Sequence, residues 1–339
     1  MAVSEILAMI PAITSSDATS LFISTSSQAT SLNTSTSSEV NSRYTPGVLL
    51  FTAICNILTC AVGTVANVMV VVVTLSCKKL RSNHQTAFVV NLTICLIPMC
   101  SFTLPLMVAR VIEIYMRSKN IPEMLLWVAF TSHVLLHQIH MHTICAMAVN
   151  RVVALRSPVF FKRMLRSSVV ALQLVLIWVL SVILWLPLTL IRDKFDLDRL
   201  RIAMDSLGLM KLYIALNYFL PLSITIICYL LIFFKVRYGI AERDGGRPKW
   251  EQEVSRSIFI IFIILVVCSL PHTIIHLVDC ECAQAWVLIH TLLFVQFCLD
   301  PIVYVVVSSE YRKSFVRCLG RSHTSRDEQM MFTSNPSVS

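Results

Sequence analysis

Apolar residues along the chain gather in seven blocks of roughly 20 to 28, separated by short charged stretches. About 20 residues at about 1.5 Å each cross the hydrocarbon of a bilayer, so each block predicts a membrane-spanning helix. The expected helices lie near 46–75, 86–112, 125–156, 169–191, 209–234, 254–278 and 284–307. Beyond the last, Tyr311, Phe315 and Leu319 fall on one side of a helical pattern. That predicts a short amphipathic helix over 309–319, lying on the membrane surface. The expected fold is therefore all-α: a seven-transmembrane helix bundle over 46–308, followed by the surface helix. Residues 1–45 are rich in Ser and Thr, and 320–339 are also polar. Both predict disordered tails, the first extracellular and the second cytoplasmic.

The third block has a pattern of its own. It carries no formal charge from Leu125 until Arg151. At about 100° per residue, His133, His137, His140 and Arg151 fall near one helix face. About 27 Å separates His133 from Arg151 along the axis. One face thus joins a histidine-lined region near one membrane surface to an arginine at the other. A helix of this kind can report an event on one side to a partner on the other.

Composition supports a membrane protein. The chain is 56% hydrophobic and 14% charged, against about 25% charged in soluble domains. The net charge of +9 is sorted across the membrane. With the N-terminus outside, the inner side carries +12 and the outer side −2, as positive-inside bias requires. The basic balance therefore implies no nucleic-acid partner. The start lacks a basic n-region and carries Glu5 in its apolar part, so the first span is expected to serve as the membrane signal. Of 12 cysteines, most lie in apolar spans and pack as small hydrophobes. Cys280 and Cys282 flank one glutamate, a spacing that would strain a bridge, so no essential disulfide is expected.

Asp300 is the one carboxylate deep in a span, about 12 Å above the inner end of the seventh helix. His140 and Asn67 lie at similar depth, His140 about 16 Å in. A charge at mid-bilayer costs roughly 2.5–3.5 kcal/mol on insertion scales, so it needs a partner inside the bundle. An Asn67–Asp300–His140 polar hub is the expectation. The alternative is a protonated Asp300 bonded to water or backbone.

Five histidines lie in the outer halves of spans: His133 and His137 in the third, His272 and His276 in the sixth, His290 in the seventh. Together they can line a ligand pocket, coordinate zinc or sense pH; each singly can also be a hydrogen-bonded packing residue. No ligand spacing typical of zinc is read among them, and no metal or cofactor is expected. Arg110, Arg192 and Lys211 sit near the outer mouth, where they either attract an anionic, lipid-like ligand or anchor the interface. No nucleotide loop, metalloprotease helix or hydrolase elbow is present, so the chain is not read as an enzyme.

A set of marks runs through all seven blocks: Asn67, Asn91-Leu92, Asn150-Arg151, Trp178, Pro221 with Tyr229, Cys268-Ser269-Leu270-Pro271, and Asp300-Pro301-Ile302-Val303-Tyr304. In order and spacing they resemble the rhodopsin-like (class A) G-protein-coupled receptors. Within that class the Asn-Arg pair and the end of the seventh helix are similar to the moody and trapped-in-endoderm group and to melatonin-type receptors. The resemblance implies an extracellular ligand and a heterotrimeric G protein as partners. It implies that Arg151, beside Asn150, contacts the sixth helix at rest and the G protein when active. Glu251 would hold Arg151 at rest, Tyr229 and Tyr304 would face the same inner cavity, and Val159 would pack into the G protein. The bland alternatives are a snorkelling arginine, a solvated glutamate and interfacial tyrosines.

Four positions depart from the family. Leu96 stands where an Asp is usual, so the family's sodium site does not carry over, and the polar hub would replace that carboxylate. The helix-3 cysteine falls at Leu126, and the second outer loop holds no partner for one. Ser269 replaces the usual Trp of helix 6. Val152 follows Arg151 in place of Tyr. His133 occupies the position at which a monoamine receptor would need Asp, and no lysine suits a retinal Schiff base. A receptor-fold protein that does not couple, and a seven-helix channel or transporter, are the rival readings; neither a run of pore charges nor a repeat supports the last. Cys318 is a candidate for palmitoylation or a free thiol. Tail serines and threonines are candidates for phosphorylation and arrestin recruitment. Membrane lipids and the plasma membrane complete the expected setting.

Asn33-Thr34-Ser35 is a glycosylation sequon, usable only on an extracellular tail. Treating the cell-expressed protein with an N-glycosidase should increase its gel mobility, and Asn33→Gln should abolish that shift. Unchanged wild-type mobility would argue against a glycosylated extracellular tail.

Overall fold

The computed structural model describes residues 44–189, 195–196, 201–202, 207–238, 249–278, 282–307, 309 and 311–317. Seven long helices dominate: α1 (Pro46–Ser76), α2 (Thr86–Met116), α3 (Glu123–Arg156), α4 (Ser167–Thr189), α5 (residues 207–238), α6 (Lys249–Val278) and α7 (Ala283–Val307).

The division of faces in α1 shows how a helix works in lipid. Pro46 begins it, where a missing N–H costs nothing. Leu49, Ala53, Asn56, Cys60, Gly63, Asn67, Val70 and Thr74 are buried, at alternating spacings of four and three. Phe51, Leu58, Val65 and Val72, seven residues apart, are exposed on the other side. The small and polar residues face the bundle and the bulky apolar ones face lipid, because close helix packing and satisfied polar groups are the gains available in a bilayer. α4 presents the broadest lipid face, with Leu172, Val175, Leu176, Val179, Ile183 and Leu186 all exposed.

Among the described residues, six helices are long and apolar enough to cross a membrane, and α3 is not among them. Its polar side chains explain this. His137, Gln138, His140, Thr143, Asn150 and Arg151 are all buried, so α3 is solvated by its neighbours rather than by lipid.

Two spans carry irregular turns that the sequence pattern does not announce. In α2 a π-helical turn, Met99–Thr103, lies between Pro98 and Pro105, and the helix runs on to Met116 rather than ending near residue 112. Each proline removes a backbone donor. The Ser101 and Thr103 hydroxyls donate to the carbonyls of Ile97 and Met99 at 2.8 and 3.1 Å. In α5 the π turn Ala215–Phe219 immediately precedes Pro221. α2 stops at Arg117, whose φ of 57° is left-handed and whose N–H returns to the carbonyls of Glu113 and Ile114.

The connections are short. Pro158–Met164 forms a helix on the inner side after α3. In the outer loop after α4, β1 (Phe195–Asp196) pairs antiparallel with β2 (Arg201–Ile202), a strand pair not anticipated from sequence. The surface helix is described over residues 311–317. Tyr311 is buried, Phe315 is half-buried, and Leu319 lies outside the described residues. Thr74 of α1 donates to the Tyr311 hydroxyl at 3.2 Å, which ties this helix to the bundle. Cys55, Cys60, Cys77, Cys95, Cys100, Cys145, Cys228, Cys268 and Cys298 are free thiols; Cys280 and Cys318 lie outside the described residues.

Gly63 marks a close approach of α1 to α2. A Cβ there would lie 2.6 Å from Cys100 Sγ and 3.6 Å from Cys298 Cβ. Gly63→Val should lower the thermal unfolding midpoint of the purified protein, an overpacking cost of about 1–3 kcal/mol. Cys100→Ala in the same chain should recover part of the loss; an unshifted midpoint in the single variant would refute the close contact.

Candidate functional site

Three clusters lie one above another along the buried face of α3. At its inner end Arg151 is buried and donates to Gln85 Oε1, at the start of α2, at 2.5 Å. Glu251, the partner suggested by sequence, lies in the first turn of α6, and its side chain is outside the described residues. Gln85 was not singled out from sequence; its place just before the second apolar block is the signal that could have found it. Asn150 donates to Gln173 of α4 at 3.0 Å. Tyr229 of α5 stacks on Phe262 of α6 with ring centroids 4.4 Å apart. Tyr229 and Tyr304 are both buried, and their hydroxyls find no hydrogen-bond partner among the described residues. Both interact electrostatically with Arg151. One guanidinium and two phenols, drawn from α3, α5 and α7, thus converge at the inner end. Lys235 donates to the carbonyl of Leu155, joining α5 to α3. Val159 is 71% exposed and points away from the core.

In the middle, His140 Nε2 lies 2.8 Å from Asp300 Oδ2, with 0% and 1% of the two side chains exposed. Asn67 does not join them by a hydrogen bond. Its Nδ2 donates to the carbonyls of Gly63 and Phe297, at 2.8 and 3.0 Å, and so clamps α1 to α7 one turn away. The physical reason is that α7 contains Pro301, which cannot donate to the carbonyl of Phe297 four residues earlier; Asn67 supplies the missing donor. Asn67 Oδ1, His140 Nδ1 and Asp300 Oδ1 are buried without partners among the described residues. Leu96 is fully buried nearby in the α2 core. One layer inward, Asn91 donates to Thr143 Oγ1 and accepts from Trp178 Nε1, both at 2.9 Å, which locks α2, α3 and α4 together.

At the outer end the five histidines form one connected series. His133 and His137 stack with centroids 6.1 Å apart. His137 reaches His272 of α6 at 6.5 Å and Tyr218 of α5 at 5.4 Å. His272 lies 4.5 Å from His276 and 4.7 Å from His290 of α7. Phe294 meets His133 edge-on at 5.2 Å, and Trp286 packs on His276 at 4.4 Å. Tyr218, Phe294, Phe297 and Trp286 were not singled out from sequence. They reach the site because the π turn in α5 and the spacing along α7 turn them inward. Ser269 of α6 donates to Gln296 of α7 at 3.1 Å. Gln138 links α4 and α5 by donating to the Ser181 carbonyl at 3.2 Å and accepting from Tyr213 at 3.0 Å.

Of the outer cations, Arg110 is buried and pairs with Glu113 at 3.1 Å. Glu113 also accepts from the backbone N–H groups of Asn120 and Ile121 at 2.5 and 2.7 Å, closing the loop between α2 and α3. Arg110 is therefore part of a loop clasp rather than an exposed anchor. Lys211 is exposed, and Arg192 lies outside the described residues.

The family model described as "7 transmembrane receptor (rhodopsin family)" matches residues 66–304. The chain belongs to the rhodopsin family of seven-transmembrane receptors. It is a multi-pass membrane protein of a family of receptors rather than enzymes. Similar proteins include somatostatin receptor type 5 of Rattus norvegicus, 26% identical over 53% of this chain and 55% of the relative. Somatostatin receptor type 1 of Mus musculus is 23% identical over 52% of this chain and 49% of the relative. Protein trapped in endoderm-1 of Drosophila melanogaster is 22% identical over 81% of this chain and 79% of the relative. The match spans about half the length of the somatostatin receptors. Leu96 and Leu126 are both buried.

The His140–Asp300 contact predicts strong coupling. Asp300→Ala and His140→Ala should each destabilise the receptor, since a buried group left without its partner costs about 1–3 kcal/mol or more. The double variant should cost less than the sum of the two. Additive losses in thermal unfolding would show that the two side chains do not interact.

Proposed function

We propose that the chain is a G-protein-coupled receptor of the plasma membrane, with its N-terminus outside and its C-terminal tail in the cytoplasm. An extracellular ligand binds among His133, His137, His272, His276 and His290. Heterotrimeric G protein is engaged at Arg151, with Asn150, Tyr229, Tyr304 and Val159 at the same end. The observation that carries this reading is the continuous buried face of α3. It carries the outer histidines, the His140–Asp300 contact and, at the inner end, the Arg151 guanidinium, which interacts electrostatically with Tyr229 and Tyr304.

At rest Gln85 accepts from Arg151 and keeps it turned toward α2. When the inner ends of α5 and α6 move apart, Tyr229 leaves its stack on Phe262 and the guanidinium becomes available to the G protein. The buried hydroxyls of Tyr229 and Tyr304 are then new acceptors and donors for this rearrangement. The mid-membrane contact between α3 and α7 transmits the outer event, because α3 and α7 both carry pocket histidines above it. Two of the relatives are named for somatostatin, so a ligand panel begins there and extends to lipid-like and anionic compounds. With Arg110 paired to Glu113, a ligand would be gripped chiefly by imidazole and aromatic surfaces. Phosphorylated tail residues would recruit arrestin, and bilayer lipids would pack on the exposed faces of α1 and α4.

The test is ligand-independent G-protein activation in cells, wild type against Arg151→Ala at matched surface expression. A basal signal in the wild type that falls at least about 10-fold in the variant, worth about 1.4 kcal/mol of coupling, supports the proposal. A signal that survives the substitution moves coupling off Arg151. Absence of signal with every member of a G-protein panel, even when each is tethered to the chain, favours a receptor-fold protein that does not couple.

A further inference from the structure

We propose that His272, His276 and His290 form a binding site for a transition-metal ion of the Zn2+ class that ties the outer end of α6 to α7. The site does not depend on G-protein coupling and goes beyond the organic-ligand pocket. One ring nitrogen from each of the three residues lies within 4.8 Å of the others. His276 Nε2 and His290 Nε2 are 3.4 Å apart. Two imidazole nitrogens on a tetrahedral zinc, each about 2.05 Å from the metal, stand about 3.3 Å apart. The α6–α7 pair is therefore already at ligand separation, and His272, within 4.8 Å of both, need approach by at most about 1.5 Å to complete three ligands.

The sequence spacing and the surroundings agree with this chemistry. His272 and His276 are four residues apart on one helix, which puts both rings on the same face. Pro271 precedes them in α6. His290 is held by a hydrogen bond from Nδ1 to the carbonyl of Trp286 at 2.7 Å. That bond places the proton on Nδ1 and leaves Nε2 as a lone pair facing His276, the outer-shell arrangement that orients metal-bound imidazoles. Nδ1 of His272 is buried and has no hydrogen-bond partner among the described residues. Trp286 covers the pair, 4.4 Å from the His276 ring and 4.8 Å from the His290 ring. Three nitrogen ligands with a fourth position left for water or an incoming donor is the composition of an open zinc site. An ion there converts a contact between two helices into coordinate bonds. It would restrain relative movement of α6 and α7 at the outer end.

The purified full-length receptor in lipid nanodiscs tests this with Co2+ as a spectroscopic probe. One Co2+ per chain should bind with the visible absorption of tetrahedral coordination, and Zn2+ should displace it. His276→Gln and His290→Gln, which keep a polar side chain of similar size, should each weaken Co2+ binding by about 100-fold or more, since even outer-shell changes cost 10- to 100-fold. His84→Gln, an exposed histidine outside the cluster, should leave binding unchanged. Zn2+ should raise the thermal unfolding midpoint of the wild type in a concentration-dependent way. The two cluster variants should keep the metal-free midpoint and lose that rise, which separates a lost site from a lost fold. No saturable Co2+ binding overturns the proposal. So does binding that persists in both variants, or that is lost only with Cys282→Ser.

Discussion

A polar side chain inside a bilayer has no water to bond to, and α3 carries more of them than any lipid-facing helix could tolerate. Each has to be met by a neighbouring span. Gln138 is met from α4 and α5, His140 from α7, Thr143 from α2, Asn150 from α4 and Arg151 from the start of α2. The bundle is therefore arranged around α3 by hydrogen bonds at successive depths, and apolar packing fills the space between them. α1 stands apart from this scheme. It is held through Asn67 on the α7 backbone and through the close approach at Gly63.

The same constraint explains the irregular segments. A proline in a span frees a carbonyl that lipid cannot satisfy. α7 solves this with an amide from another helix, Asn67, at the carbonyl that Pro301 leaves open. α2 widens to a π turn between two prolines and returns hydroxyls to the backbone; α5 places its π turn just before Pro221. These repairs rotate the outer parts of the helices. In α5 the π turn lies beside Tyr218, which packs against His137 and His272.

Stability and function compete at the unpartnered atoms. Asp300 Oδ1, His140 Nδ1, and the hydroxyls of Tyr229 and Tyr304 are buried without partners among the described residues. Such groups are costly in low dielectric. They lie along the line from the outer histidines to Arg151, where a second arrangement of the helices could satisfy them.

Much of this was legible in the sequence. Block length and charge sorting specify a seven-helix bundle, because the hydrocarbon thickness and the expense of burying charge act on composition alone. The common face of His133, His137, His140 and Arg151 follows from helical periodicity, and the depth of Asp300 follows from rise per residue. The partners do not follow from either. Gln85 beside Arg151, the Phe297 carbonyl rather than Asp300 beside Asn67, and Glu113 beside Arg110 depend on which helices touch and how each is rotated. The three-histidine cluster is the clearest case. The four-residue spacing of His272 and His276 is written in the chain. The 3.4 Å approach of His290 exists only because α7 packs against α6 at that height. Sequence alone determined which groups had to be buried at each depth, since that depends on local composition. Tertiary packing decided which of them meet, since hydrogen bonds and metal ligation act over about 3 Å and neither periodicity nor depth resolves helix rotation so finely.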